Sequence, residues 1–259
     1  MTDILSHTEA GVLTLTFNRL ARKNSITGAM YDTLAVAFTK AADDDAVRAV
    51  LLQGDPSIFS AGNDIGDFMT AAQTPMDQAL PESPVMRLLR IVAAFPKPII
   101  ASVCGPAVGI GTTLLFHCDL VYAGDNAAFS MPFVNLGLVP EAASSLLAPR
   151  MFGYHRAAEA FLLGEPFMAE AALEIGLVNR VVPPTEANAI AQIQARKIAA
   201  KPLSALIETK RLLKMGQQAE VLARIDEESQ SFGQMMRAPA AREAFTAFME
   251  KRKPDFSKV

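Results

Sequence analysis

Residues 99–116, IIASVCGPAVGIGTTLLF, form an uncharged run nearly long enough to cross a bilayer, and its fold constrains everything around it. Gly105, Pro106, Gly109 and Gly111 interrupt the run, while Lys97 and Asp119 bracket it closely. Glycine and proline at these positions punctuate a chain rather than continue a helix. The run therefore reads as a buried strand (99–103), a turn and a buried helix (110–117). DLVYAG (119–124) follows as another strand, so no membrane span is expected here.

The same alternation extends along most of the chain. Residues 4–17 read as a hairpin turning at Glu9–Gly11, and Thr27 caps a helix through Ala42 with Met30, Leu34, Phe38 and Ala41 on one face. AVLLQG (49–54) is a buried strand, Phe59–Ser60 a short one, and residues 78–95 a helix ended by Pro96–Pro98. Strands and helices alternate to about residue 182, which is an α/β pattern. Beyond residue 185 the pattern is helical only, at 185–200, 203–215, 218–236 and 240–252, broken at Pro202, Gly216 and Pro239. A boundary near residue 200 follows, with a core over 1–200 and a helical region over 201–259. Short helices of this kind need burial against the core or a partner subunit.

Composition removes several function classes. The 259 residues carry a net charge of −3, which offers no basic surface for nucleic acid. Cys104 and Cys118 lie in apolar runs and suggest no disulfide framework, so a reducing compartment fits. The start, MTDILSHTEAG, is neither basic nor continuously apolar and shows no signal peptide. His7, His117 and His155 have no metal-type spacing, and Asp43–Asp45 reads as a solvated turn, so no metal site is expected. GIGTTL (109–114) lacks the third glycine of a dinucleotide fingerprint.

Two small-residue turns remain, SAGND (60–64) and GPAVGIG (105–111), each feeding a helix. Such turns let backbone amides face a ligand. An isolated acid, Glu141, follows in GLVPEAASSLLAPRM (137–151), among Leu138, Val139, Leu146 and Leu147. Locally it reads as a first-turn helix residue after Pro140 or as a surface-loop residue. Two amides converging on one oxygen, with a carboxylate nearby, would suit enolate chemistry.

Taken together, IFSAGNDI (58–65), KPIIASVCGPAVGIGTTLLFHCDLVYAG (97–124), FSMPFVNLGLVP (129–140) and AALEIGLVNRVV (171–182) resemble the crotonase superfamily, the enoyl-CoA hydratase/isomerase family. The likeness runs from NRLARKNSI (18–26) to FMEKRKPDF (248–256). It implies a crotonase-like spiral of stacked ββα units with an α-helical C-terminal region that builds trimers or hexamers. A coenzyme A thioester is then the substrate, with no cofactor, and the expected place is a bacterial cytosol or an organelle matrix. By position the oxyanion amides are those of Ala61 and Ile110. The resemblance further implies coenzyme A contacts at Arg22, Lys23, Ala61, Asp64, Ile65, Phe248 and Lys251. The segment 66–86 is expected to border the acyl tail, with Phe68, Met69, Phe133 and Leu138 in the acyl pocket.

The departures from the family pattern discriminate among reactions. Hydratases of this family use two glutamates, and this sequence has Thr113 and Phe133 at those places. PFVNLGLVPE (132–141) is similar instead to Δ3,Δ2-enoyl-CoA isomerases whose single base directly follows the L-x-x-P turn, which makes Glu141 the base. Ring-modifying isomerases of the family carry Asp there. The expected activity is Δ3,Δ2-enoyl-CoA isomerisation by one carboxylate. Hydration or isomerisation of a ring-derived thioester is the alternative, and a non-catalytic acyl-CoA-binding subunit is a reading from another class.

Overall fold

Alternating apolar residues make β1 (Ile4–Glu9) and β2 (Val12–Phe17) an antiparallel hairpin, and β2 buries Val12, Leu13, Leu15 and Phe17. In the computed structural model the described residues are 2–73 and 83–259, without the side chains of 68, 71–73 and 258. The remaining strands are β3 (Ala49–Gln53), β4 (Ile99–Val103), β5 (Pro106–Val108), β6 (Leu120–Gly124), β7 (Ala128–Ser130), β8 (Phe167–Met168) and β9 (Arg180–Val182). The helices are α1 (Gly28–Asp43), α2 (Ile65–Gln73), α3 (Pro84–Ala94), α4 (Ile110–Thr113), α5 (Ser144–Phe152), α6 (Tyr154–Leu162), α7 (Ala169–Glu174), α8 (Pro184–Ala199), α9 (Leu203–Leu213), α10 (Gln218–Met236) and α11 (Pro239–Met249).

The main sheet runs β1-β2-β3-β4-β6-β9, parallel from β2 onward, and a second sheet runs β5-β7-β8. Ser60 pairs with Ala107 at the edge of β5, so the second sheet effectively begins at residue 60. The two sheets therefore advance in step: β3 then Ser60, β4 then β5, β6 then β7, each pair followed by helix. These are the stacked ββα units of the spiral. Strand β4 is buried at every residue, as a parallel strand covered on both faces must be.

Thr27 caps α1 by accepting from the Met30 amide, and Ser83 caps α3 by accepting from Met86, with Pro84 in the first turn. The expected helix over 78–95 thus begins at Pro84 where it is described, and its residues 78–82 lie outside the described residues. The expected helix over 110–117 is α-helical only to Thr113 and continues as a 3-10 turn. The second sheet, built from strands of two or three residues, was too short to read from periodicity.

Helix α8 covers the other face of the main sheet with Ala187, Ala191, Ala195 and Ala199, four residues apart. The last three touch Val12, Ala49, Leu51, Ile100 and Tyr122. Small side chains at this spacing let the helix lie close on the strands. Helices α10 and α11 do not stand apart from the core, for Val221, Ile225, Ala241 and Phe245 join the same cluster as Phe17, Leu52 and Phe129. Among the described residues no helix is long and apolar enough to cross a membrane, and no cluster of acidic, cysteine or histidine groups could hold a metal.

Candidate active site

The in-step sheets bring the two small-residue turns side by side. Ser60 N–H donates to the Pro106 carbonyl at 3.1 Å, and Val108 N–H donates back to Ser60 at 2.9 Å. Gly62 has φ +88°, and a side chain there would meet the Val108 carbonyl oxygen at 2.8 Å, so this close approach requires glycine. Ile26 and Asn63 form a parallel bridge that fastens the first turn to the segment entering α1.

The geometry corrects one expected donor. Ala61 N–H donates to the Lys23 carbonyl at 2.9 Å and is not free for a thioester oxygen. In the parallel bridge Asn63 lies between Gly62, whose carbonyl accepts from Ile26, and Asp64, whose N–H donates to Ile26. The Asn63 N–H takes no part, and among the described residues it has no acceptor. Ile110 opens α4, where a first-turn amide has no intrahelical partner. The unpaired amide lies two residues after Ala61, at Asn63, and local sequence cannot show this because the bridge to Ile26 is tertiary.

A cavity of about 530 Å³ opens beside Asn63. Its wall includes Ile26, Tyr31, Val85, Met86, Leu89, Ile225, Phe232 and Met236, with Asn63, Asp64, Asp67 and Glu141 as polar members. Glu141 is 8% exposed, and among the described residues its Oε1 has no hydrogen-bond partner. Burial, followed by repulsion from Glu228, raises its pKa to about 8, and a hydrogen bond from the Asn63 side chain opposes the rise. Tyr31 O–H donates to Asn63 Oδ1, which leaves the Asn63 amide nitrogen to face the carboxylate. Tyr31 is itself pushed well above its ordinary pKa by burial and by the Glu141 and Asp67 charges, so it stays a donor.

Glu141 is aimed by an unusual turn. Ser144 N–H closes on the Glu141 carbonyl at 3.0 Å, and the two central residues, Ala142 and Ala143, have φ of 63° and 55°. This is type I′ geometry built without glycine or asparagine. Left-handed conformations cost such residues about 1–3 kcal/mol each, so the surroundings must impose them. His117 donates from Nε2 to the Ala142 carbonyl at 2.8 Å. Burial lowers its pKa to about 4, so the ring is neutral. From the opposite side Glu228, on α10, accepts the amides of Ala143 at 2.6 Å and Ser145 at 2.9 Å.

The other expected residues fall in three places. Arg22 and Lys23 are exposed where a 3-10 turn meets the left-handed Lys23, beside the 60–64 turn. Asp64 accepts from Arg19 at 2.7 Å, Ser25 at 3.1 Å and the Gly66 amide at 3.0 Å, which holds its carboxylate below the usual range. Ile65 opens α2 next to it. Phe248 and Lys251 lie exposed at the end of α11, away from the described cavity wall.

The expected acyl-pocket residues do not line the described part of the cavity. Among the described wall residues Met69, Phe133 and Leu138 are absent, and the Phe68 side chain lies outside the described residues. The Phe133 ring packs against Phe161 and Phe232, so it stands one layer behind the wall that Phe232 provides. Leu138 is 2% exposed within the core, and Met69 packs against that core. Of the expected 66–86 border, Asp67, Thr70 and Ser83–Met86 do line the cavity. Sequence reading missed Tyr31, Asn63, Ile225, Phe232 and Glu228. Tyr31 falls on the apolar face of α1 and reads as core; Asn63 is set by the bridge to Ile26, and α10, which carries the other three, meets the site only through the tertiary fold.

A family model described as enoyl-CoA hydratase/isomerase matches residues 7–258. The chain is similar to enoyl-CoA delta isomerase 2 of Rattus norvegicus, 37% identical over 87% of this chain, and spans 58% of that protein. It is 36% identical to the 1,2-epoxyphenylacetyl-CoA isomerase of Escherichia coli strain K12, over 99% of both chains. It is 32% identical, again over 99% of both, to the 2,3-dehydroadipyl-CoA hydratase of the same organism. A solved enoyl-CoA hydratase/isomerase from Pseudoalteromonas atlantica T6c superposes with a TM-score of 0.92 at 36% identity, over 98% of this chain and 100% of that one.

Proposed function

The chain belongs to the enoyl-CoA hydratase/isomerase family and has its crotonase fold, and on that premise we propose that it is a Δ3,Δ2-enoyl-CoA isomerase with Glu141 as its one acid/base. The observation that carries this reading is a buried, half-unpartnered carboxylate in the wall of a large cavity, beside Asn63, whose backbone amide has no acceptor among the described residues. Glu141 takes a proton from C2 of a 3-enoyl thioester and returns it at C4, so no water enters and no second carboxylate is needed. Thr113 and Phe133, both buried, supply neither a base nor a water at the positions where hydratases of the family carry glutamates.

The negative charge that builds on the thioester oxygen is met by the amides of Asn63 and Ile110. Losing one such donor costs about 2.7–4 kcal/mol of transition-state stabilisation. A raised carboxylate pKa improves the base and keeps it able to release the proton. The coenzyme A portion is proposed to lie along Lys23–Ile26 and 61–65, with Arg22 and Lys23 near its phosphates and no metal or further cofactor. Asp64 then serves by tying Arg19 and Ser25 into that strip. A homotrimer, or a dimer of trimers, is proposed to bring Phe248 and Lys251 of one copy toward a neighbour's site. Purified protein supplied with 3-enoyl- and 2-enoyl-CoA separates the readings. Conversion of the 3-enoyl substrate without hydration of the 2-enoyl one supports the isomerase; hydration alone, or binding without turnover, overturns it.

A further inference from the structure

We infer that Glu228 is a positioning residue, a carboxylate from α10 that clamps the strained turn and thereby aims Glu141 into the cavity. The inference rests on Glu141 being the base. Helix α5 begins at Ser144, and Ala143 before it offers no side-chain cap, yet the amides at this helix start are not left bare. Glu228 reaches them from 85 residues away in sequence: Oε2 accepts Ala143 N–H at 2.6 Å, and Oε1 accepts Ser145 N–H at 2.9 Å and Ser145 Oγ–H at 2.5 Å. Arg224, one turn earlier on α10, donates to Ser145 Oγ at 3.0 Å. A 6% exposed side chain that accepts three donors caps a helix start, and while burial raises its pKa those three hydrogen bonds and Arg224 pull it back down.

The clamp and the base are two ends of one turn. Ala142 and Ala143 separate Glu141 from Ser144, both are left-handed, and His117 holds the Ala142 carbonyl from the other side. If the Glu228 bonds go, nothing else among the described residues holds the Ala143 amide, and the turn can relax toward ordinary dihedral angles with Glu141 swinging from its aim. Glu228 also adds a negative charge facing Glu141. The other titratable groups about Glu141 are Tyr31 on α1, Asp64 and Asp67 at α2, Arg224 on α10 and neutral His117 below the turn. Removing Glu228 therefore changes both geometry and field.

Glu228→Gln keeps the size but turns an N–H donor toward one of the two amides. The expected result is a kcat at least tenfold lower, a KM for 3-enoyl-CoA within about twofold of wild type, and a Glu141 carboxylate that titrates at lower pH by carboxyl-labelled NMR. Glu228→Asp, which keeps the charge but shortens the reach, should lower kcat with a smaller change in that titration. Where Glu228→Gln does not fold, the Asp variant carries the test. Normal kcat and an unmoved Glu141 titration in a folded variant overturn the inference, even if the melting temperature falls. Glu141→Gln assayed alongside keeps the two readings apart. Full isomerisation in that variant removes the base, whereas its inactivity beside a fully active Glu228→Gln removes only the clamp.

Discussion

At the scale of single residues, the site turns on Glu141, a buried carboxyl group set against a second one, Glu228. Glu141 loses hydration, gains repulsion from Glu228 and recovers only an Asn63 hydrogen bond, so its pKa stands at about 8 rather than near 4.5. Between those values the folded chain holds a proton that the unfolded chain has released. Stability therefore falls as pH rises through that window, and Glu141→Gln should flatten the dependence, which urea melts across pH 4.5–9 will report. The same titration should appear in wild-type kcat/KM, rising with pH toward a plateau above about 8. In Glu141→Gln, kcat should drop at least about a hundredfold with coenzyme A binding intact. Thr113 offers a contrasting case. Its hydroxyl is wholly buried with no partner among the described residues, while the neighbouring Thr112 hydroxyl donates to Ala107 and accepts from Ser130. Thr113→Val should keep kcat and gain on the order of 1 kcal/mol, a melting shift of about 2–4 °C by calorimetry. A chemical defect in that variant would count against the single-base mechanism.

At the scale of elements, the site depends on joints that look unremarkable in sequence. The 132–141 loop turns at Gly137, φ +66°, where an added side chain would meet the backbone of Ala240 and Ala241 at 2.8 Å. Helix α11 therefore lies directly on the loop that carries Glu141, and only glycine permits the approach. Two residues beyond Glu141 comes Ala143, left-handed and fully buried. A β-branched residue tolerates neither condition, so Ala143→Val should cost about 2–6 kcal/mol, the sum of turn strain and overpacking. Denaturant titration measures it. A loss below 1 kcal/mol would mean that the turn relaxes freely and does not aim the base. The alanines of α8 express the same logic on the far face of the sheet, where small side chains set the helix-to-strand distance.

At the scale of the whole molecule, two sheets rising in step place residue 60 against 107 and so set one glycine turn beside the other. The helical C-terminal region contributes Ile225, Phe232 and Met236 to the cavity, yet it leaves Leu213, Phe248 and Met249 at 74%, 56% and 61% exposure. Such apolar surface is costly in water and suits burial against another copy. Phe248→Glu with Met249→Glu should lower the solution mass and weaken coenzyme A binding without disturbing the core, as light scattering and ligand titration would show. Unchanged mass and affinity would limit α11 to its own chain. The α/β alternation, the turn glycines, the helical end and Glu141 were legible in the sequence because each rests on local periodicity, on punctuation by Gly and Pro, or on a motif of contiguous residues. The strands of the second sheet are too short for any period, and the choice of Asn63 over Ala61 depends on a bridge to Ile26. The left-handed alanines carry no turn signature, because Glu228 and His117 impose the conformation from 85 and 25 residues away. What only the tertiary structure decided, then, is where long-range hydrogen bonds override local preference, and in this protein those bonds converge on the carboxylate of Glu141.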